Sequence, residues 1–196
     1  MGKEEYDDVY DKIVKGFEPG ADVNILANID SYNDEMTISQ VVRFFERQGL
    51  NFTKTMIQNY VRVGIIPPPV EKRYYIKKHL ILLAMIDNLK DIYSLEEIGK
   101  LFKPIMRNVE IFDDDVMDMV RVYSEFQSIY SDSMQGLLKR LPEIVESSLL
   151  KAQDAVEVES DKMEAAYFLS LLSLMVRTIV AKKIVKNMMD NEDCKN

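Results

Sequence analysis

The sequence predicts a mostly helical, all-α protein with one small β-hairpin, and three observations predict it. Apolar residues recur at three- and four-residue steps along most of the chain. Helix-start and helix-stop residues punctuate that rhythm. Only the stretch around residues 65–76 breaks it, with prolines, aromatics and β-branched residues.

Taken in order, Tyr6, Val9, Tyr10, Ile13, Val14 and Phe17 mark an amphipathic helix over residues 3–17, ended by Pro19-Gly20. A polar, mostly acidic connection then runs to Glu35. Thr37 with Gln40 forms a capping-box pair that opens a helix with Val41, Phe44 and Phe45 inward, and Gly49 closes it. Thr53 opens a second helix, and Gly64 sits where its C-terminal cap belongs. Ile65-Ile66, Pro67-Pro68-Pro69 and Arg73-Tyr74-Tyr75-Ile76 then read as a short hairpin.

A third helix spans about Lys78 to Asp91 with Leu80, Leu83, Ala84 and Leu89 inward. Ser94 and Glu97 form a second capping box, and Pro104 helps to end the helix that they open. Beyond Met106 one long apolar stripe starts near Asp113, where Asp113-Asp114-Asp115 complement a helix dipole. Pro142 is expected to begin a further helix, and Ser160 or Asp161 to cap the last one, which runs to about Met189. Its apolar run Ala165 to Ala181 carries Arg177 and is short for a membrane span, so a buried bundle helix is expected.

Net charge is −8, but it is unevenly placed. Residues 1–35 carry −7, residues 36–80 carry +6, and residues 81–196 carry −7. A basic island in an acidic chain suits a compact DNA-reading module. The single cysteine, Cys194, builds neither a disulfide framework nor a thiolate metal site, which suits a reducing, cytoplasmic interior. No catalytic constellation is evident. His79 is the only histidine and has no partner motif, so it reads as a helix-start or phosphate-facing residue. With seven glycines and no glycine-rich loop, no phosphate cradle is expected either; cofactor and metal are both expected to be absent.

Two short helices followed by a hairpin make a winged helix-turn-helix arrangement, with a helical bundle after it. The second helix would be the recognition helix, about 54–63, presented to a major groove, and the wing, about 67–77, would lie on the backbone. With Ile57, Tyr60 and Val61 inward, Thr55, Gln58, Asn59 and Arg62 form the outward stripe, flanked by Lys54. None of these is acidic. Gln and Asn suit adenine edges, and Arg suits guanine or phosphate. On the wing, Lys72, Arg73, Lys77 and Lys78 would anchor phosphates and Tyr75 would add a hydroxyl, although at least one of Tyr74 and Tyr75 is expected in the core.

These residues resemble the DNA-binding domain of MerR-type regulators, in a divergent bacterial form. That family runs from a T-I-x-x-V helix through T-L-R-Y-Y-E-x-x-G-L-L-x-P to a wing with R-x-Y and an S-L-E-E-I helix. Here Thr37-Ile38-Ser39-Gln40-Val41, Ile57-Gln58-Asn59-Tyr60-Val61, Gly64-Ile65-Ile66-Pro67, Arg73-Tyr74-Tyr75 and Ser94-Leu95-Glu96-Glu97-Ile98 follow in the same order. The likeness covers about a third of the chain. Gln58-Asn59 replace the family's Arg-Tyr, Val61 its Glu, and His79 the acidic residue before Leu80. The resemblance implies sequence-specific binding of double-stranded DNA and transcription regulation.

The expected organisation is residues 1–35 as a helix and acidic connection, 36–106 as the DNA-binding domain, and 107–196 as a helical dimerisation or effector region. A homodimer is expected, with a small molecule or protein as effector at the C-terminal helices and no membrane partner. A second function stays open on the same residues: a protein-interaction module whose winged fold has lost DNA binding.

Overall fold

A computed structural model describes residues 3–15, 35–106 and 115–193. The chain divides into two compact units, one of residues 22–128 and one that joins residues 1–21 to 129–196. The expected boundary at Met106 therefore falls inside the first unit. The reason is packing: Met119 and Tyr123, from beyond that boundary, are buried in the same core as Phe44 and Leu83.

Within the first unit the described elements are β1 (Met36–Thr37), α2 (Ile38–Arg47), α3 (Lys54–Arg62), β2 (Tyr74–Tyr75), α4 (Lys77–Leu89), α5 (Leu95–Phe102) and the start of α6 (Met119–Ala155). The helix ends obey local chemistry. Gln40 Oε1 accepts from the Thr37 N–H at 2.8 Å and from its hydroxyl at 2.7 Å. Ser94 and Glu97 satisfy each other's backbone N–H groups at 3.2 and 2.8 Å. Gly49 and Gly64, just past α2 and α3, both take positive φ, at 78° and 73°.

The small sheet differs from the expected hairpin. β1 pairs antiparallel with β2, in the register Met36 with Tyr75 and Thr37 with Tyr74. Ile65 and Ile66 are buried beyond the end of α3 and form no strand. Three consecutive prolines explain this, because without N–H groups they cannot extend a ladder from Ile66. What remains of a hairpin is a single bridge, Val70 to Tyr74, closed around a tight turn.

α4 is the central element of this unit. His79 through Ile86 are eight consecutive buried residues, so the helix is covered on all sides rather than along one stripe. Side chains from α2, α3 and α5 close over it, including Phe44, Phe45, Ile57 and Ile98. Burial of this kind is worth about 1.5–3 kcal/mol for each large apolar side chain.

The second unit contains α1 (Lys3–Val14), the larger part of α6, and α7 (Glu159–Asp193). Its core is small: Val9, Val145, Leu149, Ala152 and Ala166, with Tyr6, Tyr10, Ile13 and Leu169 against them. Phe17 lies outside the described residues, as do Asp113 and Asp114. Two expectations are corrected here. The long stripe becomes helical at Met119 rather than near Asp113, and Asp118 caps it by accepting from the Val120 N–H at 2.9 Å. Pro142 begins no helix; it lies inside the 37-residue α6. Its ring is exposed, so water can reach the Leu138 carbonyl that proline leaves without a helical donor.

α7 starts at Glu159, one residue before the expected cap, and continues to Asp193. It is not the fully buried helix that its composition suggested. Ala166 and Ser170 are buried, but Phe168 is 60 % exposed, Met175 62 % and Ile179 52 %. Among the described residues, no helix is long and apolar enough to cross a membrane.

Candidate nucleic-acid interface

The site is built on α3, and α3 is fixed from three sides. Thr53 Oγ1 accepts from the Met56 N–H at 3.1 Å and starts the helix. Ile57 and Tyr60 are buried and bind it to the core. Before it, the turn after Gly49 is filled by Phe52, whose ring lies 4.5 Å from that of Phe45. A helix with one face held this way must present the other to solvent. Lys54, Thr55, Gln58 and Arg62 are exposed and Asn59 is half-buried, which is the stripe read from the sequence. Arg62 Nη2 donates to Asn59 Oδ1 at 2.7 Å, one turn back along the same face.

The turn that follows carries the second cationic group. Arg73 N–H donates to Val70 O at 3.0 Å, and Tyr74 N–H to the same carbonyl at 2.8 Å. Within the turn Glu71 and Lys72 take φ of 52° and 58°, a left-handed pair formed without glycine. Nothing in the sequence marks this, because the residues that ordinarily signal such a turn are Gly, Asn and Asp. Lys72 and Arg73 are exposed at the tip. The Arg73 guanidinium sits over the Tyr74 ring, 5.1 Å from its centroid, which orients it.

The remaining residues expected at the interface are placed differently. Tyr75 is buried at 4 %, its ring edge-on to His79 with centroids 5.3 Å apart, and burial pushes its phenol upward. It is the core member of the tyrosine pair, and Tyr74 is the half-exposed one. Lys77 and Lys78 are half-buried at the start of α4. The Lys78 ammonium lies 3.2 Å from Asp118 Oδ2. Burial pulls the Asp118 carboxyl upward, but the hydrogen bonds from Lys78 and from Val120 N–H hold it below its ordinary value.

His79 faces no phosphate. It is fully buried at the third position of α4, where Nδ1 accepts from the Ile76 N–H at 3.1 Å. That leaves the proton on Nε2, 3.2 Å from the Pro68 carbonyl to which it donates. Burial lowers its pKa to about 4, against the smaller opposing effect of its backbone hydrogen bonds. The ring is thus a neutral strut tying the proline segment to α4.

Two grooves escaped sequence reading because residues far apart line them. One of about 640 Å³ lies between the end of α3 and α5, bordered by Gly64, Ile65, Gly99 and Lys103. The other, of about 630 Å³, runs between α6 and α7 beside Ile144, Ser148, Leu172 and Val176. Among the described residues no group of three or more His, Cys, Asp or Glu side chains is placed to hold a metal ion.

Comparison with protein families matches residues 26–126 to the domain of unknown function DUF1836, just over half of the chain. The chain belongs to the DUF1836 family. The match nearly coincides with the compact unit 22–128, so the family's common element is the unit that carries α3, the turn and α4. No curated protein matches the chain, and no solved structure does.

Proposed function

We propose that the DUF1836 unit of this chain binds duplex DNA in a winged-helix manner and acts as a transcription regulator. One observation carries the reading: an exposed face of α3 that presents Lys54, Thr55, Gln58 and Arg62, with no acidic residue, on a helix clamped by Ile57 and Tyr60. Rigid presentation matters because base readout requires donors and acceptors held in place before contact. In this reading α3 enters the major groove. Lys72 and Arg73 at the turn meet the phosphates, with Lys77 and Lys78 behind them. The likeness to MerR-type regulators points the same way.

Fluorescence anisotropy with labelled duplex fragments of the source genome tests it. Binding weakens steeply as salt rises, with a log–log slope of roughly −0.9 for each phosphate neutralised. Absence of binding to any duplex at low salt, or binding indifferent to salt, overturns the proposal and leaves the protein-interaction reading.

A further inference from the structure

α7 carries an order of side chains left exposed among the described residues. Its buried side is marked by Ala166 and Ser170, against the cluster of Val9, Val145 and Leu149. At about 100° per residue the opposite side holds Phe168, Leu171, Met175 and Ile179, with Leu172 and Val176 at the margin that also borders the groove beside α6. All six are exposed. The same face carries Asp161 and Glu164 before the apolar run and Lys183 and Lys186 after it, all exposed, with the exposed Asp190 one turn beyond. From Asp161 to Lys186 it therefore reads acidic, apolar, basic.

That order is self-complementary when two copies run antiparallel. Placing the two-fold axis midway between Leu172 and Met175 sets those two residues opposite each other. The same operation sets Leu171 against Val176 and Phe168 against Ile179. It also brings Glu164 to Lys183 and Asp161 to Lys186. One axis thus pairs each of the six apolar residues with another of them and both Asp161 and Glu164 with a base, as an isologous interface requires. A parallel pair would instead set Asp161 on Asp161 and Lys186 on Lys186. The area is adequate too. With about 200 Å² per large side chain, the six apolar residues expose on the order of 600 Å², and the four charged stems bring this near the roughly 800 Å² per partner of a standard interface.

We infer that this face of α7 docks on α7 of a second copy of the chain, antiparallel, in the register that pairs Glu164 with Lys183. The inference is independent of DNA binding.

Charge reversal tests it on the full chain. Wild type sediments as a dimer at tens of micromolar. Glu164→Lys alone and Lys183→Glu alone each replace two attractive pairs by two repulsive ones, raising the dissociation constant about tenfold. An equimolar mixture of the two variants restores both pairs and recovers the dimer. In a Cys194→Ser background, Phe168→Cys mixed with Ile179→Cys cross-links on oxidation. Phe168→Cys alone does not, since the axis separates its two copies by about 16 Å along the helices. A monomeric wild type, single variants that dimerise as wild type does, a mixture that stays monomeric, or cross-linking of Phe168→Cys to itself overturns the inference.

Discussion

Arg62 donates from Nη2 to the side-chain carbonyl of Asn59 across 2.7 Å. This bond divides labour between two residues that the sequence alone presents as equals. Bidentate pairing of an asparagine with adenine needs both its carbonyl and its amide, and here the carbonyl is engaged. In the proposed interface we assign Asn59 the role of aiming Arg62, and Gln58 and Arg62 that of meeting bases.

Alanine substitution separates the two roles. Gln58→Ala or Arg62→Ala lowers discrimination between the preferred duplex and its single-base variants, by about 1–3 kcal/mol where the side chain pairs with a base through two hydrogen bonds. Asn59→Ala lowers it by less, and Asn59→Asp, which keeps the acceptor, restores Arg62 to its place. Competition binding across a panel of single-base variants reads this directly. An Asn59→Ala effect larger than that of Arg62→Ala refutes the division.

The proposed phosphate anchors are expected to obey a different rule. Arg73→Ala weakens every duplex alike and reduces the magnitude of the salt slope by roughly 0.9, without reordering sequence preference. A salt titration of the variant against wild type on two unrelated duplexes is the check.

His79 makes stability depend on acid. Its folded pKa of about 4 lies below the ordinary histidine value of 6.5 in the unfolded chain, so the unfolded state binds the proton more readily between those values. Its contribution is complete above about pH 6.5, falls as pH drops, and is exhausted near pH 4, amounting to about 3 kcal/mol. Glutamine at this position keeps an acceptor for Ile76 N–H and a donor for Pro68 O. Denaturant titrations of His79→Gln between pH 4 and 7 therefore show a shallower pH dependence than wild type.

The turn at Glu71 and Lys72 holds strain where the proposed interface places cations. A left-handed conformation costs an ordinary residue roughly 1–2 kcal/mol, part of which glycine avoids. Lys72→Gly is expected to raise stability by about 0.5–1 kcal/mol, seen as a melting temperature higher by a few degrees, while weakening DNA binding. Reduced stability in calorimetry means that the Lys72 side chain makes interactions worth more than the strain.

Much of the first unit was legible because its signals are local. Thr37 with Gln40, Ser94 with Glu97, Gly49 and Gly64 each act within about four residues, and each sits where its chemistry placed it. The pairing of Met36 with Tyr75 was not legible, since nothing near either residue names a partner so far along the chain. Pro142 misled for a related reason: proline suits a first turn, but the apolar pattern on either side sustains one helix through it. On α3 the period alone set which residues face out, whereas the engagement of Asn59 by Arg62 depends on rotamers that no spacing records. The exposure of Phe168 and Met175 was hidden because an apolar composition does not say which of its residues are covered.

Val9 has a further consequence. It is fully buried among Val145, Leu149, Ala152 and Ala166, so its partners leave the ribosome more than a hundred residues after it does. During synthesis the unit of residues 22–128 is complete before α1 has anything to pack on, and α1 waits as an uncovered amphipathic segment while its neighbour folds. The two units are thus made in the reverse of the order in which their first residues appear, and α1 can reach its full set of partners only after Ala166 has been made.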